Sequence, residues 1–361
     1  MSEQQPNVGG IVPKPPEPRP EAEIMAGWEG DVDSPLVSIL CATYNHANYI
    51  EDAIKGFLCQ DTGFPFEIII ADDASTDGTK EIVERYAAKF PRIIKPIFHF
   101  ENQYSQGFRP PRYFKKLIKG RYCALCEGDD YWVDSKKLRL QVEGLERNPN
   151  VDLSIHPAYM LDVERQKATL MYEHGDRELI LPVAAPVASM SQFSPTASYV
   201  FRTEAFLSMP TWFFEAIDLP FGDYFVEAII GRPGILYFPD ALSVYRRNVP
   251  GSYTAMTKQA EETQLLERLK SILAYTRKLS VFSEIPKSAL EIRLKMVLRD
   301  YINMAIYRKS HSMLIVIAEI ADSYEVPFGK RDQLLVPSRV LFCLYAILKR
   351  AKGMARQLIK A

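Results

Sequence analysis

The strongest constraint on the fold is a repeated pairing of a short apolar run with a segment of helical period. Leu36-Val37-Ser38-Ile39-Leu40-Cys41-Ala42 is almost continuously apolar, and Phe66-Glu67-Ile68-Ile69-Ile70-Ala71 repeats the pattern. Runs of this kind suit strands covered on both faces, as in a parallel sheet. Between them, Ile50, Ala53, Ile54, Phe57 and Leu58 form one stripe of a helix over residues 47–60. A second helix reaches Lys89, with Thr76 or Asp77 at its N-cap. A third strand over 93–98, a short helix over 109–119 blurred at its start by Pro110-Pro111, and a fourth strand over 121–126 follow. This alternation predicts an α/β fold: a mostly parallel central sheet with right-handed crossovers, flanked by helices.

In open sheets of this class, ligands bind at the carboxyl ends of the strands. Three strands here end in polar clusters: Thr43-Tyr44-Asn45, Asp72-Asp73, and the stretch Glu127-Gly128-Asp129-Asp130-Tyr131-Trp132. Taken singly, each reads as turn chemistry. Their common edge points to a site. Adjacent carboxylates repel, and burial raises their pKa values unless a cation or donors compensate. A divalent cation carrying a diphosphate is the natural compensation, since hard cations take carboxylate and phosphate oxygens.

Beyond Trp132, Asp134 caps a helix striped by Leu138, Val142 and Leu145, and 151–160 reads as a strand. Residues 161–193 show no clear period. A strand over 197–202 and a polar stretch, Pro220 through Glu227, entering an apolar helix come next. Residues 235–238 and 242–246 read as a pair of strands, and a loop over 249–252 is placed to fold over a ligand. From about residue 256 the pattern is helical. The last segment, 337–361, carries Arg339, Lys349, Arg350, Lys352, Arg356 and Lys360 and no acidic residue. A basic amphipathic helix of this kind suits an anionic membrane surface.

The 361 residues fit one large α/β domain with additions, read as 1–34, 35–255 and 256–361. The proline-rich 1–34 is expected to be a disordered tail. A net charge of -1 gives no footprint for nucleic acid. No run reaches the roughly 18 apolar residues of a membrane span. The start of the chain lacks a secretory pattern, and five cysteines, at 41, 59, 123, 126 and 343, suit a reducing cytoplasm. Cys123 and Cys126 lie on a strand, point to opposite faces, and read as core.

Ser38-Ile39-Leu40-Cys41-Ala42-Thr43-Tyr44-Asn45, Asp72-Asp73-Ala74-Ser75-Thr76-Asp77-Gly78-Thr79 and Glu127-Gly128-Asp129-Asp130 together resemble the family 2 glycosyltransferases of the GT-A fold, over about residues 35–255. The resemblance implies a hexosyltransferase that moves a sugar from a nucleotide-sugar donor, a UDP-sugar in this reading, with inversion. It implies a divalent metal, Mg²⁺ or Mn²⁺, and a glycan or lipid-linked acceptor in surface-polysaccharide assembly. It places such a protein on the cytoplasmic face of the inner membrane. Carried over by motif, Ala42, Thr43 and Tyr44 line the nucleoside pocket and Asp73 accepts the N3–H of a uracil-like base. Arg109 or Arg112 pairs with phosphate, Asp129 contacts the ribose or the metal, and Asp130 holds the metal. Gly222-Asp223-Tyr224 sits where the family supplies its base, usually an acidic pair; here Gly precedes the Asp, which leaves Asp223. Arg246 and Arg247, beside the 249–252 loop, are available to the phosphates, and His156, Trp132 and Arg246 are expected to contact sugar or acceptor.

Two other classes fit less well. A hydride-transferring enzyme wants Gly-x-Gly-x-x-Gly after the first strand, where this chain has Thr43-Tyr44-Asn45-His46-Ala47. A non-catalytic sugar- or nucleotide-binding protein on the same fold would be expected to lack one acidic cluster, and all are present.

Overall fold

The structure, a computed structural model, describes residues 12–190, 192–249 and 261–358. It forms two compact units, one from residues 1–186, 192–217 and 221–258, the other from 187–191, 218–220 and 259–361.

The first unit begins with α1 (Glu21–Ala26), β1 (Val37–Thr43), α2 (Ile50–Leu58), β2 (Phe66–Asp72), α3 (Thr79–Lys89), β3 (Ile94–Phe98), α4 (Pro110–Phe114) and β4 (Tyr122–Leu125). Apart from α1, these are the strands and helices expected from the apolar runs. β3, β2, β1 and β4 lie side by side and parallel, with Val37 opposite both Phe66 and Tyr122, and Thr43 opposite Asp72. Every residue of β2 is buried, as a doubly covered strand requires. Of the two acidic side chains in β2, Glu67 is satisfied locally: it accepts hydrogen bonds from Ser38 Oγ at 2.6 Å and Lys119 N at 3.2 Å.

The chain continues through β5 (Tyr131–Trp132), α5 (Lys137–Arg147), β6 (Leu153–Ile155), β7 (Ala158–Asp162), β8 (Lys167–Met171), β9 (Leu179–Leu181), β10 (Val200–Arg202), α6 (Thr203–Leu207), α7 (Thr211–Glu215), α8 (Gly222–Ile230), β11 (Ile235–Tyr237) and β12 (Ser243–Arg247). The main sheet has the order β3-β2-β1-β4-β10-β6-β11-β9, with β10 antiparallel to both neighbours. A second sheet, β5-β12-β7-β8, collects the rest. The stretch read as one strand over 151–160 is thus two strands in two sheets. The expected pairing of 235–238 with 242–246 does not form either. β11 stays in the main sheet, parallel to β6, while β12 leaves it and lies parallel to β7. The reason is the link between them, Pro239-Asp240-Ala241-Leu242, which lacks hairpin turn chemistry and carries the chain across.

The tail read as disordered is partly structured. Ile24, on α1, is 2% exposed, and Trp28 meets the Phe66 ring edge-on at 5.0 Å. Glu21 accepts the N–H groups of Arg92 at 2.7 Å and Ile93 at 3.1 Å. Three apolar residues at helical spacing, Ile24, Met25 and Trp28, suffice to dock this stretch on the core. Residues 1–11 lie outside the described residues, as does most of the loop expected to close over a ligand.

The second unit is helical: α9 (Glu262–Lys278), α10 (Lys287–Arg308), α11 (His311–Ser323), α12 (Lys330–Leu335) and α13 (Arg339–Leu358). On α13, Phe342 and Ala346 are buried, whereas Val340, Leu341, Leu344 and Ile347 are at least half exposed. Among the described residues no helix is long and apolar enough to cross a membrane.

α2 packs on β5 through a glycine. A Cβ at Gly56 would stand 2.7 Å from the backbone oxygen of Trp132, and backbone has no room to yield. Gly56→Ala is expected to lower stability by about 1–3 kcal/mol, read as an earlier midpoint in urea unfolding. An unchanged midpoint would show that helix and strand can separate freely.

Candidate active site

The carboxyl ends of β1, β2 and β4 meet as the sequence anticipates, and backbone hydrogen bonds knit them together. Asp73 N–H donates to Thr43 O at 2.9 Å, and Gly128 N–H to Ala42 O at 2.9 Å. The turns beyond interlock through side chains. Asn45, in the left-handed region with φ 55°, donates its N–H to Ser75 Oγ at 2.8 Å, and its Oδ1 accepts from Thr76 N at 2.9 Å. Ala47 N–H donates to Asp77 Oδ2 at 3.0 Å. Thr43 Oγ1 and His46 Nδ1 are buried without a hydrogen-bond partner. Gly128 runs directly over them: a Cβ there would stand 2.5 Å from Thr43 Oγ1 and 3.0 Å from His46 Nδ1. The glycine before the paired aspartates is therefore a steric requirement.

Among the described residues, Glu127, Asp129 and Asp130 bring one oxygen each within 4.8 Å of one another. Asp130 is 1% exposed, Asp129 half-buried and Glu127 open to solvent. Burial, then the charges of Asp129 and Glu127, push the Asp130 carboxyl well above the ordinary range; the N–H of Arg246, which donates to Asp130 Oδ1 at 2.8 Å, works the other way. Water reaches Glu127, yet protein surrounds its carboxyl. Loss of solvation, then Asp129 and Asp223, push it up to about 8. Three crowded carboxylates, with the Glu127 and Asp130 pKa values raised, and only oxygen ligands are the donor set a hard divalent cation takes. The set fits the Mg²⁺ or Mn²⁺ expected from the sequence. Its third member, Glu127, opens the very stretch singled out there, but nothing in its sequence position marks it as a ligand.

Asp73 is buried, and its two oxygens accept the N–H groups of Gln103 at 2.6 Å and Tyr104 at 3.0 Å. Each carboxylate oxygen keeps a second lone pair, so the group remains able to accept from a ligand. Tyr44 is 44% exposed at the end of β1, and Ala42 is half-buried beside it. Arg112 is exposed with its guanidinium 4.4 Å over the Phe108 ring, and Arg109 lies likewise over Tyr104, on the turn that binds Asp73.

Asp223 is half-buried in the first turn of α8, and its charge reaches Glu127. One helical turn on, Glu227 is 2% exposed. Its Oε1 accepts from Ser194 N at 3.0 Å, Ser194 Oγ at 2.7 Å and Tyr199 Oη at 2.7 Å. Burial, and behind it the charge of Asp223, raise Glu227 to about 8.

Three expected contacts are corrected. His156 is fully buried, its Nδ1 2.8 Å from Pro157 O, and cannot reach a sugar. Trp132 is 1% exposed, donates Nε1–H to Ala197 O at 2.8 Å and packs on Phe57, so it supports the acidic loop from below. Arg246 is not free for phosphate. Its Nη1 donates to Asp129 O at 2.8 Å, its Nη2 pairs with Asp52, and its guanidinium lies 4.4 Å over the Tyr131 ring. It is a clamp on the acidic loop. Trp132 lies on β5, Arg246 on β12 and His156 between β6 and β7, and which way each side chain turns depends on the second sheet.

Residues 38–200 match the family described as Glycosyl transferase family 2. They form a family 2 glycosyltransferase domain. An uncharacterized protein of Mycobacterium tuberculosis is 35% identical over 227 residues, a match that spans 60% of this chain and 60% of that protein. The Escherichia coli UDP-Glc:alpha-D-GlcNAc-diphosphoundecaprenol beta-1,3-glucosyltransferase WfaP is 41% identical over 102 residues, 28% of this chain and 38% of its own. The crystal structure of S. aureus TarS 1-349 in complex with UDP-GlcNAc superposes with a TM-score of 0.57 at 17% identity, over 87% of each chain. At that identity the likeness is one of fold, and it bears out the GT-A arrangement of the family 2 domain.

Titration of Glu227 is visible in stability. Its folded pKa is raised, from 4.5 to about 8. Its contribution is therefore fully present below the unfolded value and is lost as pH rises through the folded one. Glu227→Gln keeps an oxygen for the three donors and removes the titration. The melting temperature of the wild type should fall relative to that variant between about pH 5 and about pH 8. A pH-independent difference would contradict the raised pKa.

Proposed function

We propose that this protein is a metal-dependent inverting glycosyltransferase that moves a sugar from a nucleotide-sugar, a UDP-sugar in our reading, to a hydroxyl of a glycan or lipid-linked acceptor. The observation that carries the proposal is the convergence of Glu127, Asp129 and Asp130 at the strand ends beside Asp73, with Asp223 in electrostatic reach. WfaP, named for UDP-Glc and a diphosphoundecaprenol-linked acceptor, and TarS, crystallised with UDP-GlcNAc, support the choice of donor and acceptor class.

In this reading Asp73, its carboxylate fixed by two N–H groups, accepts the ring N–H of the base, and the exposed Tyr44 ring covers the nucleoside. Glu127, Asp129 and Asp130 hold the cation. When bound, the cation neutralises the charge that develops on the departing diphosphate. Arg246 keeps the loop in place, so its carboxylates need no reordering as the donor arrives. Asp223 acts as base: the acceptor oxygen bonds to the anomeric carbon, its proton passes to the Asp223 carboxylate, and the bond to the diphosphate breaks. One displacement inverts the centre.

The same reading gives α13 a role at an anionic membrane surface. Its exposed Val340, Leu341, Leu344 and Ile347 lie on a helix whose sequence holds five basic and no acidic residues from Arg339 to Leu358. Lys360, also counted in the basic segment, lies outside the described residues. A location on the cytoplasmic face of the inner membrane follows from this reading.

Two experiments test these statements. Asp130→Asn should abolish transfer and weaken cation-dependent donor binding, whereas Asp223→Asn should abolish transfer with donor affinity nearly unchanged. Full activity in Asp130→Asn, or loss of donor binding in Asp223→Asn, would overturn the respective assignment. The doubly substituted Leu344→Glu, Ile347→Glu protein should no longer sediment with phosphatidylglycerol-containing vesicles that retain the wild type. Equal sedimentation would remove the membrane role of α13.

A further inference from the structure

One aromatic residue at the end of β8, in the second sheet, is held in an unusual backbone conformation. Tyr172 directly follows β8, and its φ of 67° lies in the left-handed region. A bulky aromatic seldom adopts that region, and it persists only where the surroundings fix it. The turn takes the ring out of the alternation of β8, whose last residue, Met171, pairs with Ala158.

What fixes it is a hydrogen-bonded bracket. Tyr172 Oη donates to Gln192 Oε1 at 3.2 Å, and Gln192 Nε2 lies 3.5 Å from Thr196 Oγ1. The same segment supplies Ser194 and Tyr199, which donate to Glu227 one turn from Asp223. The tyrosine and the helix of the proposed base are thus tied to one piece of chain. The side chain is half-buried. Burial first, then the charges of Asp130, Asp223 and Glu227, against that of Arg247, push its hydroxyl up to about 12. Burial first, then the charges of Asp130, Tyr172, Glu127 and Asp129, raise the hydroxyl of Tyr245 on β12 as well.

We propose that Tyr172 is a substrate-contacting residue, whose ring stands between the Glu127, Asp129 and Asp130 group and Asp223 and takes the apolar face of the transferred sugar. A donor whose diphosphate sits at the acidic group and whose anomeric carbon is approached from Asp223 must lay its sugar in the space between them. A tyrosine there offers an apolar ring with a polar rim, which matches the C–H face and hydroxyl edge of a hexose. Because its hydroxyl is held by Gln192 and its backbone by the left-handed turn, the ring is ordered before the ligand arrives. The proposal rests on the glycosyltransferase reading above.

The test compares binding of UDP with binding of UDP-glucose and UDP-N-acetylglucosamine, by calorimetry in the presence of Mn²⁺. Tyr172→Asn removes the ring with a residue that tolerates positive φ, and Tyr172→Phe keeps the ring. The wild type should bind at least one UDP-hexose more tightly than UDP. Tyr172→Asn should bind UDP as the wild type does while its extra affinity for the sugar falls by about five- to ten-fold. Tyr172→Phe should keep most of that extra affinity. If Tyr172→Asn retains all of it, or if the wild type gains nothing from the sugar, the assignment of Tyr172 is overturned. A wild type that binds neither UDP nor any UDP-hexose fails at the earlier step and overturns the donor reading instead. Equal near-ultraviolet circular dichroism of the three proteins separates a lost contact from a lost fold.

Discussion

The acidic loop depends on Arg246. One residue on β12 gives its backbone N–H to the Asp130 carboxylate, one guanidinium nitrogen to the Asp129 carbonyl and another to Asp52 on α2, and rests its planar group on Tyr131. A guanidinium is always charged and presents its donors in a fixed fork, so it binds several partners without loss of geometry. The clamp joins the two sheets with α2, at the place where negative charge is densest. Without it, three carboxylates at the end of β4 and the start of β5 would face each other with little positive charge near.

The clamp does not neutralise the group. Burial and mutual repulsion leave Asp130 and Glu127 with raised pKa values even with Arg246 in place, and Glu227 shares the condition deeper in the core. Such an arrangement costs stability in the free protein, and in the proposed reading a bound cation would offset that cost. The fold places the group at the end of parallel strands, where backbone hydrogen bonds fix the spacing of Thr43, Asp73 and Gly128. In the proposed reading, this rigid edge, acidic despite Arg246 and next to a carboxylate able to take a proton, would serve to activate a charged leaving group.

Much of this was legible in the sequence. Buried parallel strands announce themselves as continuous apolar runs, so β1, β2 and β4, and the polar clusters that end them, could be read directly. Asp129, Asp130, Asp73 and Asp223 followed from position and from resemblance. The second sheet was not legible. Its strands are short, its β5–β12 pairing joins segments more than 100 residues apart, and which face turns inward is decided by partners far along the chain. That is why Trp132 and His156, which suit a sugar by type, turned out to be core. It is also why Arg246, which suits a phosphate, turned out to hold the loop. Glu127 was hidden by its brighter neighbours, and Tyr172 by a stretch without period. The docked segment around Ile24 was masked by the prolines before it.

The central claim is that the carboxylates at this sheet edge bind a diphosphate through a shared divalent cation. Calorimetric titration of the full chain with UDP, with and without Mn²⁺, tests it most directly. The account predicts that Mn²⁺ tightens UDP binding by at least about ten-fold, the equivalent of about 1.4 kcal/mol. UDP affinity that is the same with Mn²⁺ and with chelator would contradict it.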